Sequence, residues 1–576
     1  MKDNKNQPVD ANRLQEFTRT LQRYKAGKAS VERRCVAAEN WWKLRNSAEE
    51  QKLTEGTGGF NAVSGWLHNV IVSKHADAME AYPEPIILPR EPEDRQEAQL
   101  LRKIIPVILE QADFEKTWSD CMWQKLKTGT GVYKVCWDAE KAGGLGDIGI
   151  ERVDLLNVFW EPGIRDIQKS PCFFHSSLED NDKLLELYPA LRGRLKNTGF
   201  TATSFIYDDS VPTDSKSTVI EVYYKKREKG REMLHYCKYV GDTVLCSTEN
   251  DGEVLYEHGL YPFVFDSLFP VEGSPCGYGF IDLCRNAQTQ IDMMQTAFIK
   301  NVMVGAMPRY FQRMDGAVNE EEFLNLANPI IHVSGNLGQD SLRTVDYKPL
   351  SGSYLEMRQS VINELRETSG NTETSVGIST SGVTAASAIA ALQEASGKGS
   401  RDATKASYRA YGRIINLCIE LIRQFYDIPR CFRIAGSMGG EDFIRYSNKA
   451  LRAQAQGRMG GVDLGLRTPL FDIRVSAQKK SSYTKLSQNE LALQLYQLGF
   501  FNENQSAQAL SCMSMMEFEG REELMQAIAA KQQLKMALGQ KMQQTQTAAM
   551  PQPQPPMAEA ARMETANIPL PGGKRA

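Results

Sequence analysis

The sequence predicts an α+β fold on two grounds. Helical spacing of apolar residues dominates the first 127 positions and returns after residue 280. Between them, Val132–Trp137, Val153–Trp160, Val219–Lys225 and Leu234–Val240 have the alternation and β-branched content of strands. At 576 residues, 41% apolar and 24% charged, the chain is long enough for two to four substructures with a sizeable core. Its formal net charge of -3 argues against a protein built to grip nucleic acid, because phosphate affinity needs a Lys/Arg surplus. The 11 cysteines form no CxxC pair, so reduced thiols, most of them small core residues, are expected. With no apolar leader after Met1 and no run of membrane-spanning length, synthesis and folding in a cytoplasm are expected.

The elements follow in order. Leu14, Phe17, Leu21 and Tyr24 recur at three and four residues and predict a helix over 12–46, with Trp41 and Trp42 as a later anchor. After GTGG (56–59) a second helix runs through Trp66, Val70 and Lys74. PEPIILPREPED (83–94) reads as a Pro-punctuated connection, and one helix is expected from 95 to 127. The strands come next. At GSPCGYG (273–279) the character changes: a long amphipathic helix is expected from Phe280 to Val304, with Phe280, Leu283, Ala287, Ile291, Met294 and Phe298 on its apolar stripe. Residues 307–351 read as a compact insert with one strand at Pro329–Val333. A second helix is expected from Ser353, capped with Glu356 and closed at Gly370. Residues 370–383 lack any hydrophobic pattern, and Thr384 opens an Ala-rich helix that breaks at GKGS (397–400). A stronger helix over 401–426 carries Tyr408, Tyr411, Ile415, Cys418, Ile422 and Phe425. Short strands at Phe432–Ala435 and Phe471–Val475 follow, then a helical block opened by Ser487 and Glu490, and a Gln/Pro-rich end from 541 expected to be disordered.

A catalytic constellation is missing. Gly397-Lys398-Gly399-Ser400 lacks the upstream glycine and the strand of a phosphate loop, and TGTG (128–131) enters a strand instead of opening a helix. The six histidines are isolated; His68 and His75 read as surface or half-buried side chains, and Glu320–Glu322 as a solvated helix face. No catalytic residue, metal site or cofactor is expected.

Three stretches carry a resemblance. YPFVFDSLFPVEGSPCGYGFIDLCRNAQTQIDMMQTAFIKN (261–301), the helix–insert–helix unit of 280–369, and STSGVTAASAIAALQEASGKGSRD (379–402) together resemble tailed-bacteriophage portal proteins, the head-to-tail connectors of the DNA-packaging vertex. VYKVCW (132–137) and EVYYKK (221–226) fit the wing of that family. The resemblance implies a portal-type fold: a mixed α/β wing over 1–278, stem helices at 279–306 and 352–369, and a small α/β clip at 307–351. It further implies a tunnel loop at 370–384, a long kinked helix with wing return strands at 385–480, a helical crown at 481–540, and a tail over 541–576.

The resemblance also implies a function. Copies of the chain, usually twelve, would form a ring at a unique capsid vertex, passing double-stranded DNA inward during packaging and outward during ejection. Partners would be the terminase large subunit, then head-completion, adaptor and tail proteins, with major capsid and scaffolding proteins around the ring. The virion is the expected location, after assembly in the host cytoplasm, and no membrane is expected. On this reading Asn371, Thr372, Glu373, Ser375, Ser379, Thr380 and Ser381 belong to the tunnel loop, whose lack of cations and aromatics avoids gripping phosphate. Arg309, Arg313 and Arg343 are the candidate docking residues of the clip. Arg285, Lys300, Arg358 and Arg366 are expected to pair with Asp292, Glu356 and Glu364 of neighbouring copies, and the stripes of 280–304 and 408–425 to exceed what one subunit covers. The rival readings are a membrane- or envelope-associated scaffold and a metal-dependent nuclease.

Overall fold

A computed structural model describes residues 9–44, 62–193, 195, 215–228, 230–306, 310–312, 319–324, 332, 334, 342–344, 348–371, 398–435, 441–455, 458–459, 462–463, 466–477, 493–494, 496–499, 510, 525, 527–531 and 533. The chain divides into two units, Met1–Lys479 and Lys480–Ala576. In the second only short helical turns are described, Leu493, Tyr496 and Leu498 among their exposed residues. The block from Ser487 to Glu490 and the end from 541 lie outside the described residues.

Among the described residues, seven longer helices carry the first unit: α1 (Ala11–Trp42), α2 (Trp66–Glu80), α3 (Arg95–Gln111), α4 (Phe114–Thr128), α5 (Phe280–Ala306), α6 (Gly352–Ser369) and α7 (Lys398–Phe425). Its main strands are β1 (Pro83–Pro89), β2 (Thr130–Asp138), β3 (Asp147–Val153), β4 (Val158–Phe159), β5 (Cys172–Asp180), β6 (Lys216–Glu228), β7 (Arg231–Val240), β8 (Thr243–Ser247), β9 (Phe263–Ser267), β10 (Tyr310–Gln312), β11 (Leu342–Thr344), β12 (Arg430–Ala435), β13 (Glu441–Tyr446) and β14 (Phe471–Ala477). One sheet has the order β3-β2-β9 and another β4-β5-β6-β7-β8; both are antiparallel throughout. The α+β class is therefore correct.

The spacing of α1 explains its packing. Leu14, Phe17, Leu21 and Tyr24 lie on one face and bury against Phe174, Val222 and Tyr239 of the five-stranded sheet. The larger core sits between α3, α4, the three-stranded sheet and α7. Trp118, Tyr133 and Tyr411 meet there, with ring centroids 6.2–6.3 Å apart for the two pairs that involve Trp118. Burying aromatics of this size contributes about 1.5–3 kcal/mol each. Six cysteines, Cys35, Cys121, Cys237, Cys276, Cys284 and Cys418, are buried as free thiols.

Several expectations need correction. The Pro-rich run 83–89 is a strand, paired with β14 in antiparallel register, Pro83 opposite Ala477 and Pro89 opposite Phe471. Pro83, Pro85 and Pro89 share one parity, whereas Arg90, of the other parity, donates its N–H to Leu470 O at 3.3 Å. All three missing N–H groups thus face away from the partner, the one arrangement in which an edge strand tolerates proline. The helix expected over 95–127 is two, separated at Asp113, whose φ of 50° breaks the helical ladder. Between 153 and 160 only Val158–Phe159 is strand, after a 3-10 turn at Leu155–Asn157. No break occurs over 398–400, because α7 already begins at Lys398. Gly397 and the Ala-rich stretch from Thr384 lie outside the described residues. The N-cap of α6 is Ser351, not Ser353, and no side chain caps its first turn.

Candidate functional site

The most distinctive element is the helical pair α5–α6 and the root that fixes it. The root is made by two glycine motifs far apart in sequence. Gly129, at φ 89°, ends α4, and its carbonyl accepts the Leu268 N–H at 2.9 Å. A Cβ there would collide with the backbone of Gly277 and Tyr278, and one on Gly279 with the Lys127 carbonyl. TGTG and GSPCGYG therefore interlock backbone to backbone, and only glycine permits that approach. Gly277 N–H donates to Thr130 Oγ1 at 2.9 Å, which fixes the direction in which α5 departs.

The base of α5 is buried through Phe280, Ile281, Cys284 and Ile291, which meet Val361, Ile362 and Leu365 of α6 in one core. A polar stripe continues beside it. Gln288 Nε2 donates to Ser64 O at 2.7 Å, while its Oε1 accepts Leu67 N–H at 3.2 Å. Asp292 Oδ1 accepts Ser64 N–H at 3.0 Å, and Thr296 Oγ1 accepts Ala62 N–H at 3.0 Å. Spaced by four, these side chains strap residues 62–67 along the helix. Asp292 is therefore committed inside its own chain, which corrects its assignment to neighbouring copies. Burial pushes its carboxyl up, against the opposing bonds from Ser64 and Gln288.

Beyond the base the pair loses its cover. Met293, Phe298, Val302, Met303 and Val304 on α5 are exposed, as are Tyr354, Leu355 and Met357 on α6, with Met293 and Met357 above 60%. Asn301 closes the neck: its Nδ2 donates to Lys348 O at 3.1 Å and its Oδ1 accepts Leu350 N–H at 3.3 Å. Within 307–351, β10 pairs with β11, placing Arg343 opposite Phe311, and Glu320–Leu324 is helical. Arg309 and Arg313 lie outside the described residues, as does Pro329–Val333 apart from His332, which is not in a strand.

At the far end of α6, Gly370 caps the helix at φ 65°. Asn371 is buried: its Oδ1 accepts Ser73 Oγ–H at 2.9 Å, and Lys74 Nζ donates to Gly370 O at 3.2 Å. Thr372, Glu373, Ser375, Ser379, Thr380 and Ser381 lie outside the described residues. The chain resumes in α7, where Lys125 Nζ donates to Ala403 O at 3.3 Å and Ser407 Oγ at 2.6 Å and pairs with Asp266 at 2.7 Å. The α7 stripe is covered by its own subunit, with Tyr411, Ile415, Cys418 and Ile422 at 0% exposure. That corrects the expectation that it needs a neighbour. His68 and His75 stack on Trp42 and Trp123, at 4.1 and 3.7 Å between centroids, a packing role that helical spacing alone did not disclose.

One buried polar cluster ties the two main sheets together. Glu221 of β6 accepts Lys134 Nζ at 2.9 Å, His175 Nδ1 at 2.9 Å, and the hydroxyls of Tyr223 and Tyr236 at 3.0 Å each. Burial alone would raise this carboxyl, but the Lys134 ammonium and the His175 bond outweigh it and hold it far below the usual carboxylate range. A carboxyl depressed in the folded state stabilises above its unfolded value, near pH 4.5, and that stability is lost as the pH falls further. Glu221→Gln is therefore expected to cost about 3 kcal/mol at pH 7. In urea titrations its deficit should shrink steadily below pH 4.5; a deficit independent of pH would refute the charge-based account.

Among the described residues no group of His, Cys, Asp and Glu is arranged to hold a metal ion, and no helix is long and apolar enough to cross a membrane. A sequence model of the phage P22-like portal protein matches residues 76–569. The chain belongs to that family. It is a bacteriophage portal protein, a head–tail connector, and genome packaging and ejection follow from that role. No curated protein matches the chain. Portal proteins of this family are generally structural, not enzymatic, and membership implies an oligomeric ring at the capsid vertex of the virion, working with capsid and other phage proteins.

Proposed function

We propose that this portal subunit forms a closed ring, usually of twelve copies, whose central channel carries double-stranded DNA inward during packaging and outward during ejection. In this reading α5 and α6 are the stem, 307–351 the clip, and 370–384 the tunnel loop, anchored by the buried Asn371 and facing the channel beyond it. Residues 1–278 with the return strands form the wing, and 481–540 the crown. The observation that carries it is the helical pair itself, locked into the body at its base and left with exposed apolar side chains farther out. A lone subunit gains nothing from such a surface, whereas copies standing side by side cover it. The clip, held out on two helices and bearing Arg309, Arg313 and Arg343, receives the terminase large subunit and afterwards head-completion, adaptor and tail proteins. Around the ring sit the major capsid and scaffolding proteins, with assembly in the host cytoplasm. Glu373 and its Gly/Ser/Thr neighbours repel or ignore phosphate, so a moving duplex meets little drag.

Two experiments test this. Negative-stain images of the purified chain are expected to show rings with a central hole. Replacing 307–351 by a short Gly/Ser linker is expected to leave the ring intact and abolish packaging; packaging at the normal rate would remove the clip assignment.

A further inference from the structure

At the root of the helical pair, α1 and the start of α5 enclose an open cavity of about 480 Å³. Arg33 and Arg34 enter it from α1 and Arg285 from α5, against a single carboxylate, Asp282. That carboxylate is already engaged: it accepts Gly279 N–H at 3.1 Å and lies 3.6 Å from Arg34 Nε. Arg34 is fixed in place, donating from Nη2 to Gly277 O at 2.7 Å with its guanidinium 4.8 Å from the Tyr278 ring centroid. Its buried Nε has no hydrogen-bond partner among the described residues. Arg33 and Arg285 are exposed, and among the described residues neither lies within ion-pair distance of a carboxylate. Three guanidiniums and one carboxylate leave the cavity with an excess of two positive charges, one of them pre-positioned.

We infer that this cavity receives an Asp or Glu side chain of the adjacent copy of the chain, seated between Arg33 and Arg285. The inference rests on the ring reading above. Guanidiniums bind carboxylate and phosphate alike, so the rim decides. Tyr278 and Leu283, 42% and 43% exposed, stand at the same opening. A DNA backbone neutralises arginine but offers a leucine and a tyrosine only its small sugar faces. A protein surface covers both, and Tyr and Arg around a desolvated centre are what concentrate binding energy at protein interfaces. Leu283 also lies on α5, the helix that carries the exposed Met293 and Phe298, so the cavity continues the surface already assigned to a neighbouring copy.

The test uses the full chain. Arg33→Glu combined with Arg285→Glu places like charges against the incoming carboxylate and is expected to lower ring yield at least about tenfold at physiological salt in native mass spectrometry. Because a double reversal could also disturb the subunit, rings of Arg33→Lys and of Arg285→Lys, assembled from isotopically light and heavy copies, are treated with a carbodiimide. The new amine is expected to form a zero-length amide with an Asp or Glu on a different copy. Normal ring yield in the double variant overturns the inference, as does coupling confined to the same chain. Loss of duplex binding with intact rings would assign the cavity to phosphate and overturn it equally. A wild-type chain that never leaves the monomer instead defeats the ring reading itself, and the cavity assignment falls with it.

Discussion

Lys125→Met is expected to destabilise the subunit by about 3–5 kcal/mol, the largest loss from any single substitution considered. Lys125 and Asp266 have side chains only 2% and 1% exposed, and the lysine also holds Ala403 and Ser407 of α7. Methionine matches the stem but leaves Asp266 buried without a counter-ion. Pairing the change with Asp266→Leu removes the stranded charge and should recover most of the loss, as a double-mutant cycle in urea would report. A double variant no better than the single one would mean that packing, not charge, sets the cost.

Phe298→Glu combined with Met357→Glu is expected to abolish ring formation while leaving the subunit folded. Met357 is 61% exposed and Phe298 37%, so the isolated subunit loses some buried apolar area at Phe298 and little at Met357. In a ring the same positions would lie between copies, where each new carboxylate is desolvated against a different patch of the adjacent copy. Sedimentation velocity with circular dichroism separates the outcomes. Monomers with an unchanged spectrum and a modestly lowered melting point are expected; rings at the normal yield would remove the distal helices from the interface.

Much of this arrangement was legible in the sequence because it rests on local periodicity. The stripe of Leu14, Phe17, Leu21 and Tyr24 placed α1 and its buried face, and the spacing from Phe280 onward placed α5. What escaped is long-range. Asp292 was expected to pair with a neighbouring copy and Gln288 carried no local signal, yet their partner Ser64 lies 224 residues from Gln288. TGTG and GSPCGYG were visible as turn punctuation, but their mutual contact has no local trace. The Tyr408–Phe425 stripe was read correctly as apolar and wrongly as needing a neighbour, because periodicity reports which face is buried and not by what. β1 was missed for a related reason: proline frequency argues against a strand, and only the parity of Pro83, Pro85 and Pro89 argues for an edge. Most of the residues resembling a tunnel loop, and two of the three clip arginines, lie outside the described residues.

The β1–β14 ribbon also sets a clock for the newborn chain. Its strands lie roughly four hundred residues apart, and closing so long a loop costs about 5 kcal/mol of chain entropy. At about 5–20 residues per second, on the order of twenty to eighty seconds separate the synthesis of Pro83 from that of Ala477. Ile87 and Phe471, one from each strand, share a core with Tyr411 and Ile415, so α7 is not sealed until the second strand arrives. The apolar length of α5 and α6 leaves the ribosome well before then. Closure of the ribbon is thus the step that turns a nascent chain with an unfinished body into a subunit rigid enough to meet another copy.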